Sequence, residues 1–328
     1  MASSMTLLTE ADLRRCVPLD LAAVEVVADG FRALTGQGVQ MPPVLSMAIP
    51  EHNGEVDVKT AYVPGLDAFA MKISPGFFDN PKIGVPSLNG LMVLLSAHTG
   101  LVQALLLDNG YLTAIRTAAA GAVAARTLAR KGPVRAGVLG AGEQARLQMQ
   151  ALALVRDVSD VTVWARDAAK VDAYVREMTG VLGVPVRGAP SPEVVVRECD
   201  VVVTTTPARA PLVRAEWLHP GLHITAMGSD TAEKNELDPA VLSRADLFVT
   251  DRTTQCAKLG ELHHAISAGL HVPAVELGVF VQEEGDARPS EESVTVCDLT
   301  GTGVQDTVIA NHAYAAAQKA GLGREFHA

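Results

Sequence analysis

Apolar positions recur at helical spacing between Leu21 and Leu34, where Leu21, Val24, Val27, Phe31 and Leu34 share one face ahead of Gly36. Thr9 followed three residues on by Asp12 has the form of an N-terminal cap, and an amphipathic helix is predicted as the first element. From about Val39 to Asp108 the pattern changes to short apolar runs punctuated by Pro, Gly and Asn, which predicts an antiparallel sheet. Its clearest strand–turn–strand is Gly90 to Asp108, turning at His98-Thr99-Gly100. An alanine-rich helix follows from about Thr113 to Arg130 and stops at Gly132-Pro133. Beyond it, apolar strands at Val134 to Leu139, Val161 to Trp164, Asp200 to Thr205, His223 to Ala226 and Asp246 to Thr250 alternate with helices, among them Glu143 to Val155 and Ala168 to Thr179. Such alternation predicts an α/β fold with a doubly wound parallel sheet. A strand at Val294 to Asp298, a glycine turn and a helix from about Val304 to Ala320 end the chain.

Length and composition narrow the class. At 328 residues with 48% apolar and 20% charged residues, the chain has room for two domains, divided near residue 130. A net charge of −10, without a basic run longer than two, argues against nucleic acid as a partner. The most apolar stretch, Leu91 to Leu107, is interrupted by Ser96, His98, Thr99, Gly100 and Gln103, so no membrane span is predicted. The first residues lack the pattern of a signal peptide, and a cytoplasmic protein is expected. Cys16, Cys199, Cys256 and Cys297 have no paired spacing and read as reduced, buried small hydrophobes. His263 and His264, with Glu261 and His271, match no metal-ligand spacing and read as a helix-surface pair; no metal is predicted.

Gly140-Ala141-Gly142-Glu143-Gln144-Ala145 follows a short buried strand and opens a helix, the setting a dinucleotide pyrophosphate requires. The first glycine makes the turn, the second lets backbone approach phosphate, and Ala145 permits close packing, while the helix N-terminus favours negative charge. The next strand ends near Trp164-Ala165-Arg166-Asp167. With Ala165 where an acidic ribose-reading residue would stand and Arg166 after it, NADP(H) is favoured over NAD(H); a register shifted onto Asp167 would favour NAD(H).

Three further residues carry candidate chemistry. Lys72 lies in an apolar strand and reads either as a proton donor or carboxylate partner, or as a solvated lysine on an edge strand. Arg116, placed by the predicted boundaries in the first turn of the alanine-rich helix, opposes the helix dipole there and reads as a ligand of a substrate carboxylate or as an ordinary surface arginine. Asp230 follows the strand His223 to Ala226, at the end of a parallel sheet where ligands bind, and reads as an acid/base or as a helix cap. Gly301-Thr302-Gly303 leaves too little chain for another βαβ unit and reads as the turn that brings the last helix back to the first domain, or as one whose backbone amides also line the active site.

Met71-Lys72, Gly84-Val85-Pro86-Ser87, Thr99-Gly100, Thr113 to Ala119, Gly140 to Ala145, Gly228-Ser229-Asp230, Glu236-Leu237, Gly260-Glu261 and Asp298 to Asp306 together resemble the ornithine cyclodeaminase/mu-crystallin family. Pro42-Pro43 through Lys59, with Ser74 to Pro81, most resembles its cyclodeaminase-like members of ectoine and hydroxyectoine catabolism; His223 to Leu237 is similar to the iminosuccinate reductases. The resemblance implies a Rossmann-type domain over 131–299 and an α+β substrate-binding and dimerisation domain over 1–130 and 300–328, in a homodimer. It implies that Lys72 and Arg116 bind the substrate carboxylate or assist proton transfer, that Ser87 lies near the substrate, and that Asp230 is the principal acid/base. On this reading the cofactor is held by Thr117, Gly140, Ala141, Gly142, Glu143, Gln144, Ala165, Arg166, Thr205, Met227 and Gly228. Ser46 stands where such proteins usually carry a carboxylate-clamping arginine. The implied activity is NAD(P)H-dependent reduction of a small imino acid; the alternatives are a redox-neutral cyclodeaminase and a non-catalytic NADPH-binding protein.

Overall fold

The computed structural model describes residues 4–282 and 287–327. The chain divides into two compact units, one of Met1–Pro18, Glu25–Arg116 and Thr302–Ala328, the other of Leu19–Val24 and Thr117–Gly301.

The first unit is a seven-stranded sheet with helices. Its strands are β1 (Ser4–Thr9), β2 (Leu45–Ile49), β3 (Gly54–Ala61), β4 (Ala68–Phe77), β5 (Leu91–Ser96), β6 (Val102–Leu107) and β17 (Arg324–His327), in the order β17-β1-β6-β5-β4-β3-β2. Its helices are α1 (Glu10–Cys16), most of α2 (Leu21–Thr35), the start of α3 (Tyr111–Leu128) and α11 (Gly303–Lys319). The antiparallel sheet predicted from 39 to 108 is present as β2 to β6, and β1 joins it parallel to β6. The first element is therefore β1 rather than a helix. Its run Ser-Met-Thr-Leu-Leu-Thr has no clean alternation, and Thr9 with Asp12 forms a full capping box on α1 instead.

Helix α11 packs across β3, β4 and β5. Thr307 donates to the Ala61 carbonyl at 2.8 Å and accepts from the Ala70 amide at 3.1 Å, and Gly303 lies so close to β3 that a Cβ there would meet the Thr60 carbonyl oxygen at 2.3 Å. The opposite face of β2 to β5, carrying Leu45, Met47, Val58, Met71, Ile73 and Val93, is apolar yet only partly covered, with Leu45 62% and Met47 53% exposed.

The second unit has eight parallel strands: β7 (Pro133–Leu139), β8 (Asp157–Trp164), β9 (Val186–Gly188), β10 (Val201–Thr204), β12 (His223–Ala226), β14 (Leu247–Thr250), β15 (Val275–Glu276) and β16 (Thr295–Asp298). Their order is β15-β14-β16-β12-β10-β7-β8-β9, and β11 (Arg209–Val213) pairs separately with β13 (Asn235–Leu237). Order reverses between β7 and β10, the switch point where doubly wound sheets bind ligands. The helices are α4 (Glu143–Val155), α5 (Ala168–Leu182), α6 (Pro192–Glu198), α7 (Pro239–Arg244), α8 (Thr253–Cys256), α9 (Glu261–Ser267) and α10 (Leu277–Gln282). Two apolar layers flank the sheet, one built on Val138, Val163, Met149 and Tyr174, the other on Val196, Val202, Ile224 and Leu242. This is the predicted Rossmann-type architecture, with an α+β unit beside it in the chain. No helix among the described residues is long and apolar enough to cross a membrane.

Cys199, Cys256 and Cys297 are buried as expected, and Cys16 is half-buried. His263 and His264 are not a surface pair: both are half-buried on α9, and the His264 ring nitrogen lies 2.8 Å from the Lys234 carbonyl.

Candidate active site

In the first unit, three distant stretches of sequence meet at one carboxylate. Lys72 lies on β4, which is flanked by β3 and β5 and so is no edge strand; the lysine is 2% exposed. Its ammonium is 3.1 Å from Asp306 Oδ2. Arg116 is buried, and donates from Nε to Asp306 Oδ1 at 2.9 Å and from Nη1 to Gln305 Oε1 at 3.3 Å. Helix α3 begins at Tyr111, so Arg116 stands in its second turn, where the dipole argument loses force. The carboxylate explains its placement instead. Lys59, also buried, is the cross-strand neighbour of Lys72.

Burial drives the Lys72 ammonium down to about 7, against the raising effect of Asp306 and with Arg116 and Lys59 pushing the same way as burial. Burial also opposes ionisation of Asp306, but Lys72 and Arg116 outweigh it and hold the carboxyl below its ordinary value. Ser87 is half-buried, its carbonyl accepting from the Phe77 amide at 2.7 Å, and no bond joins it to Lys72 or Arg116 among the described residues. Ser46 lies on the edge strand β2 opposite Asp57, in the set of alternating positions that includes Lys59 and Lys72.

In the second unit, Gly140 has φ +119°, and a Cβ there would lie 2.3 Å from Thr205 Oγ1. Only glycine makes that turn. Gly142 caps α4, with open space where its Cβ would be, and Ala145 is fully buried. Arg146 donates to the carbonyls of Ala141 at 2.7 Å and Gly142 at 3.0 Å, tying down the outer side of the loop. The features a pyrophosphate needs are thus present in this chain: a tight turn, open backbone and a helix N-terminus. Gly140, Ala141, Gly142, Glu143 and Gln144 lie together here, beside Thr205, whose hydroxyl donates to the Leu139 carbonyl at 3.1 Å.

Glu236 organises the neighbouring strand ends. Oε2 accepts from Thr204 Oγ1 at 2.6 Å and the Gly228 amide at 2.8 Å, and Oε1 accepts from both the amide and hydroxyl of Thr206 at 2.6 Å. The loops after β10 and β12 are joined through this wholly buried carboxylate. Gly228 is needed there, since a Cβ would meet the Thr206 carbonyl oxygen at 2.3 Å. Met227, whose amide donates to the Thr204 carbonyl at 3.1 Å, lies in the same loop. On the other side of the switch point, β8 ends at Trp164; Ala165 is partly buried and Arg166 exposed. Asp167 Oδ1 caps α5 by accepting from the amides of Ala169 and Lys170. Thr117, within α3, gives its carbonyl to Gln148 Nε2 at 3.0 Å.

Asp230 lies in the loop after β12 with its side chain 44% exposed and Oδ1 2.7 Å from Lys234 Nζ. It caps no helix, because the next element is β13. Sequence reading gave no role to Asp306, Glu236 or Arg146. The clue to Asp306 was Gln305-Asp306-Thr307, a polar run opening an otherwise apolar helix.

A model of the ornithine cyclodeaminase/mu-crystallin family matches residues 4–321. The chain belongs to that family. An uncharacterized cyclodeaminase of Sinorhizobium fredii is 54% identical over 98% of this chain and 99% of its own. An archaeal alanine dehydrogenase dimer with bound NAD superposes with a TM-score of 0.90 at 31% identity, covering 99% of each chain. The iminosuccinate reductase of Paracoccus denitrificans in complex with NAD+ superposes with a TM-score of 0.89 at 31% identity, covering 98% of this chain and 99% of its own. Its relatives are named as reductases, dehydrogenases and cyclodeaminases, and both of these solved ones hold NAD.

Proposed function

We propose that the protein is an NAD(P)H-dependent oxidoreductase that reduces a small imino acid to the amino acid. The observation that carries this reading is the convergence of the Lys72 ammonium and the Arg116 guanidinium on one buried carboxylate, two cations against one anion, an excess of positive charge that the substrate's carboxylate would balance. A nicotinamide bound at the Gly140 loop supplies the hydride. Lys72 and Arg116 hold the substrate carboxylate, and Asp230, exposed and paired with Lys234, handles the proton of the nitrogen. Ser87 is assigned a place near the substrate. The iminosuccinate reductase and the alanine dehydrogenase, both named for redox chemistry at an amino acid's carbon–nitrogen bond, support this class; within it, a substrate from ectoine or hydroxyectoine catabolism is part of the proposal.

Arg166 in open solvent after β8, with Asp167 engaged as a cap, supports a preference for NADP(H). The partly covered apolar face of β2 to β5 supports a homodimer, as in the archaeal relative. The name of the Sinorhizobium relative favours a second reading, a redox-neutral cyclodeaminase that releases ammonia from a diamino acid.

Absorbance at the reduced nicotinamide band, with NADPH or NADH against α-keto acids plus ammonia, preformed imines, ornithine and diaminobutyrate, separates the two. Net oxidation with an imino acid is expected. Ammonia release from a diamino acid without net absorbance change would replace it with the cyclodeaminase. Asp230→Asn should abolish turnover and leave cofactor affinity nearly intact; undiminished turnover would remove Asp230 from the mechanism.

A further inference from the structure

We propose that Asp306 is the positioning residue of the substrate site: its single carboxylate fixes Lys72 and Arg116 together, one oxygen to each cation. The proposal rests on the reading that Lys72 and Arg116 clasp the substrate carboxylate.

Oδ1 of Asp306 accepts from Arg116 Nε, Oδ2 is ion-paired with the Lys72 ammonium at 3.1 Å, and the side chain is fully buried. The helix that carries it cannot drift. Thr307 bonds it to β3 and β4, Gly303 abuts Thr60, and Gln305 Oε1 accepts the Thr302 amide at its start. Gln305 also takes Arg116 Nη1, so α11 grips the guanidinium at two points, while Nη2 makes no hydrogen bond among the described residues and is left for a ligand.

The charged groups facing Lys72 are Lys59 from β3, Arg116 from α3, Asp306 from α11, and Asp108, whose Oδ2 accepts the Leu112 amide at 2.8 Å at the start of α3. Lys59 and Arg116 drive the lysine toward the free amine, and Asp306 is the carboxylate in contact with it that resists them. Loss of that carboxylate should therefore lower the pH at which Lys72 gives up its proton and release Arg116 at once.

The test is the affinity of the full chain, loaded with NADH, for pyrrole-2-carboxylate, a planar carboxylate probe, titrated calorimetrically across neutral pH. In the wild type, affinity should fall as pH rises through about 7. In Asp306→Asn the midpoint should move down by about one unit or more, with affinity at neutral pH reduced about tenfold or more. A folded Asp306→Asn protein with the wild-type midpoint overturns the proposal, because a merely structural carboxylate would change melting temperature and not this midpoint. If Asp306→Asn gives no cooperative melt, Asp306→Glu decides. It keeps the charge and displaces it, so the midpoint should stay while affinity drops, and unchanged affinity overturns the proposal. Lys72→Met should abolish the midpoint. If Lys72→Met or the wild type shows that the probe ignores Lys72, the carboxylate-clasp reading fails and takes the proposal with it.

Discussion

Asp306 in the first unit and Glu236 in the second are both wholly buried carboxylates, yet they hold opposite kinds of partner. Asp306 takes two side-chain cations from sequence positions 234 and 190 residues away, whereas Glu236 takes two backbone amides and two threonine hydroxyls from loops nearby in the chain. A site made of charges on long side chains responds to protons, and damage to it should show as a changed pH profile. A site made of backbone held in one shape responds to sterics and lost acceptors, and damage there should show as lost cofactor affinity at every pH. The second unit has its own pH sensitivity in buried carboxylates, Glu236 among them, whose carboxyl burial pushes up, and there it bears on stability.

Asp298 gives the largest expected effect. Its Oδ2 accepts the Leu262 amide at 3.0 Å, Oδ1 has no hydrogen-bond partner among the described residues, and burial, with Asp251 nearby, pushes the carboxyl up to about 7. A folded-state value raised from 3.8 gives stability that is full below about 4 and is lost as pH rises toward about 7. The loss is on the order of 4 kcal/mol at about 1.4 kcal/mol per unit. Asp298→Asn cannot ionise, so its melting temperature should decline less than that of the wild type between pH 4 and 8. An unpaired amide would lower both ends equally, so the slope is the quantity that decides. Equal slopes would sink the assignment.

Next comes Gly140→Ala. Left-handed strain and the approach to Thr205 together should cost roughly 2–3 kcal/mol, or about 30- to 100-fold in NADH affinity by fluorescence titration. The pH midpoint of carboxylate binding should not move, and a moved midpoint would break the separation between the two sites. Glu236→Gln should follow at about 10-fold or more, since one charge-assisted acceptor is replaced by a donor facing other donors. Cofactor affinity should fall by the same factor at pH 6 and pH 8; a loss confined to one pH would contradict the account of Glu236 as a holder of shape.

The same contrast explains what could be read from the residues alone. The Gly140 loop is legible because its six residues are contiguous and each has a local steric task. The strands of the parallel sheet are legible because they are short apolar runs with helices between them. Asp306 is not legible, since its meaning depends on two cations that only the folded sheet and helix bring to it. Arg116 illustrates how a boundary misplaced by two residues misleads: set in the first turn, it argues from a dipole, while in the second turn it argues from a partner. Strands β1 and β17 gave no signal because one lacks alternation and the other is entirely exposed.

Arg166 offers the smallest effect and the sharpest test of the cofactor proposal. It is exposed after β8, so its attraction for a ribose 2′-phosphate acts through solvent and should be worth about 1 kcal/mol, near a fivefold preference. Asp167 is tied to the amides of Ala169 and Lys170 and so does not repel that phosphate as a free ribose-reading carboxylate would. Arg166→Glu should therefore lower NADPH affinity about tenfold and leave NADH affinity almost unchanged, and raising the salt concentration should erode the wild-type preference. A wild type that prefers NADH, together with a variant that changes neither affinity, would assign the ribose to another side chain. Because the Gly140 loop is assigned to the pyrophosphate common to both cofactors, that outcome would leave the Gly140 and Glu236 expectations standing.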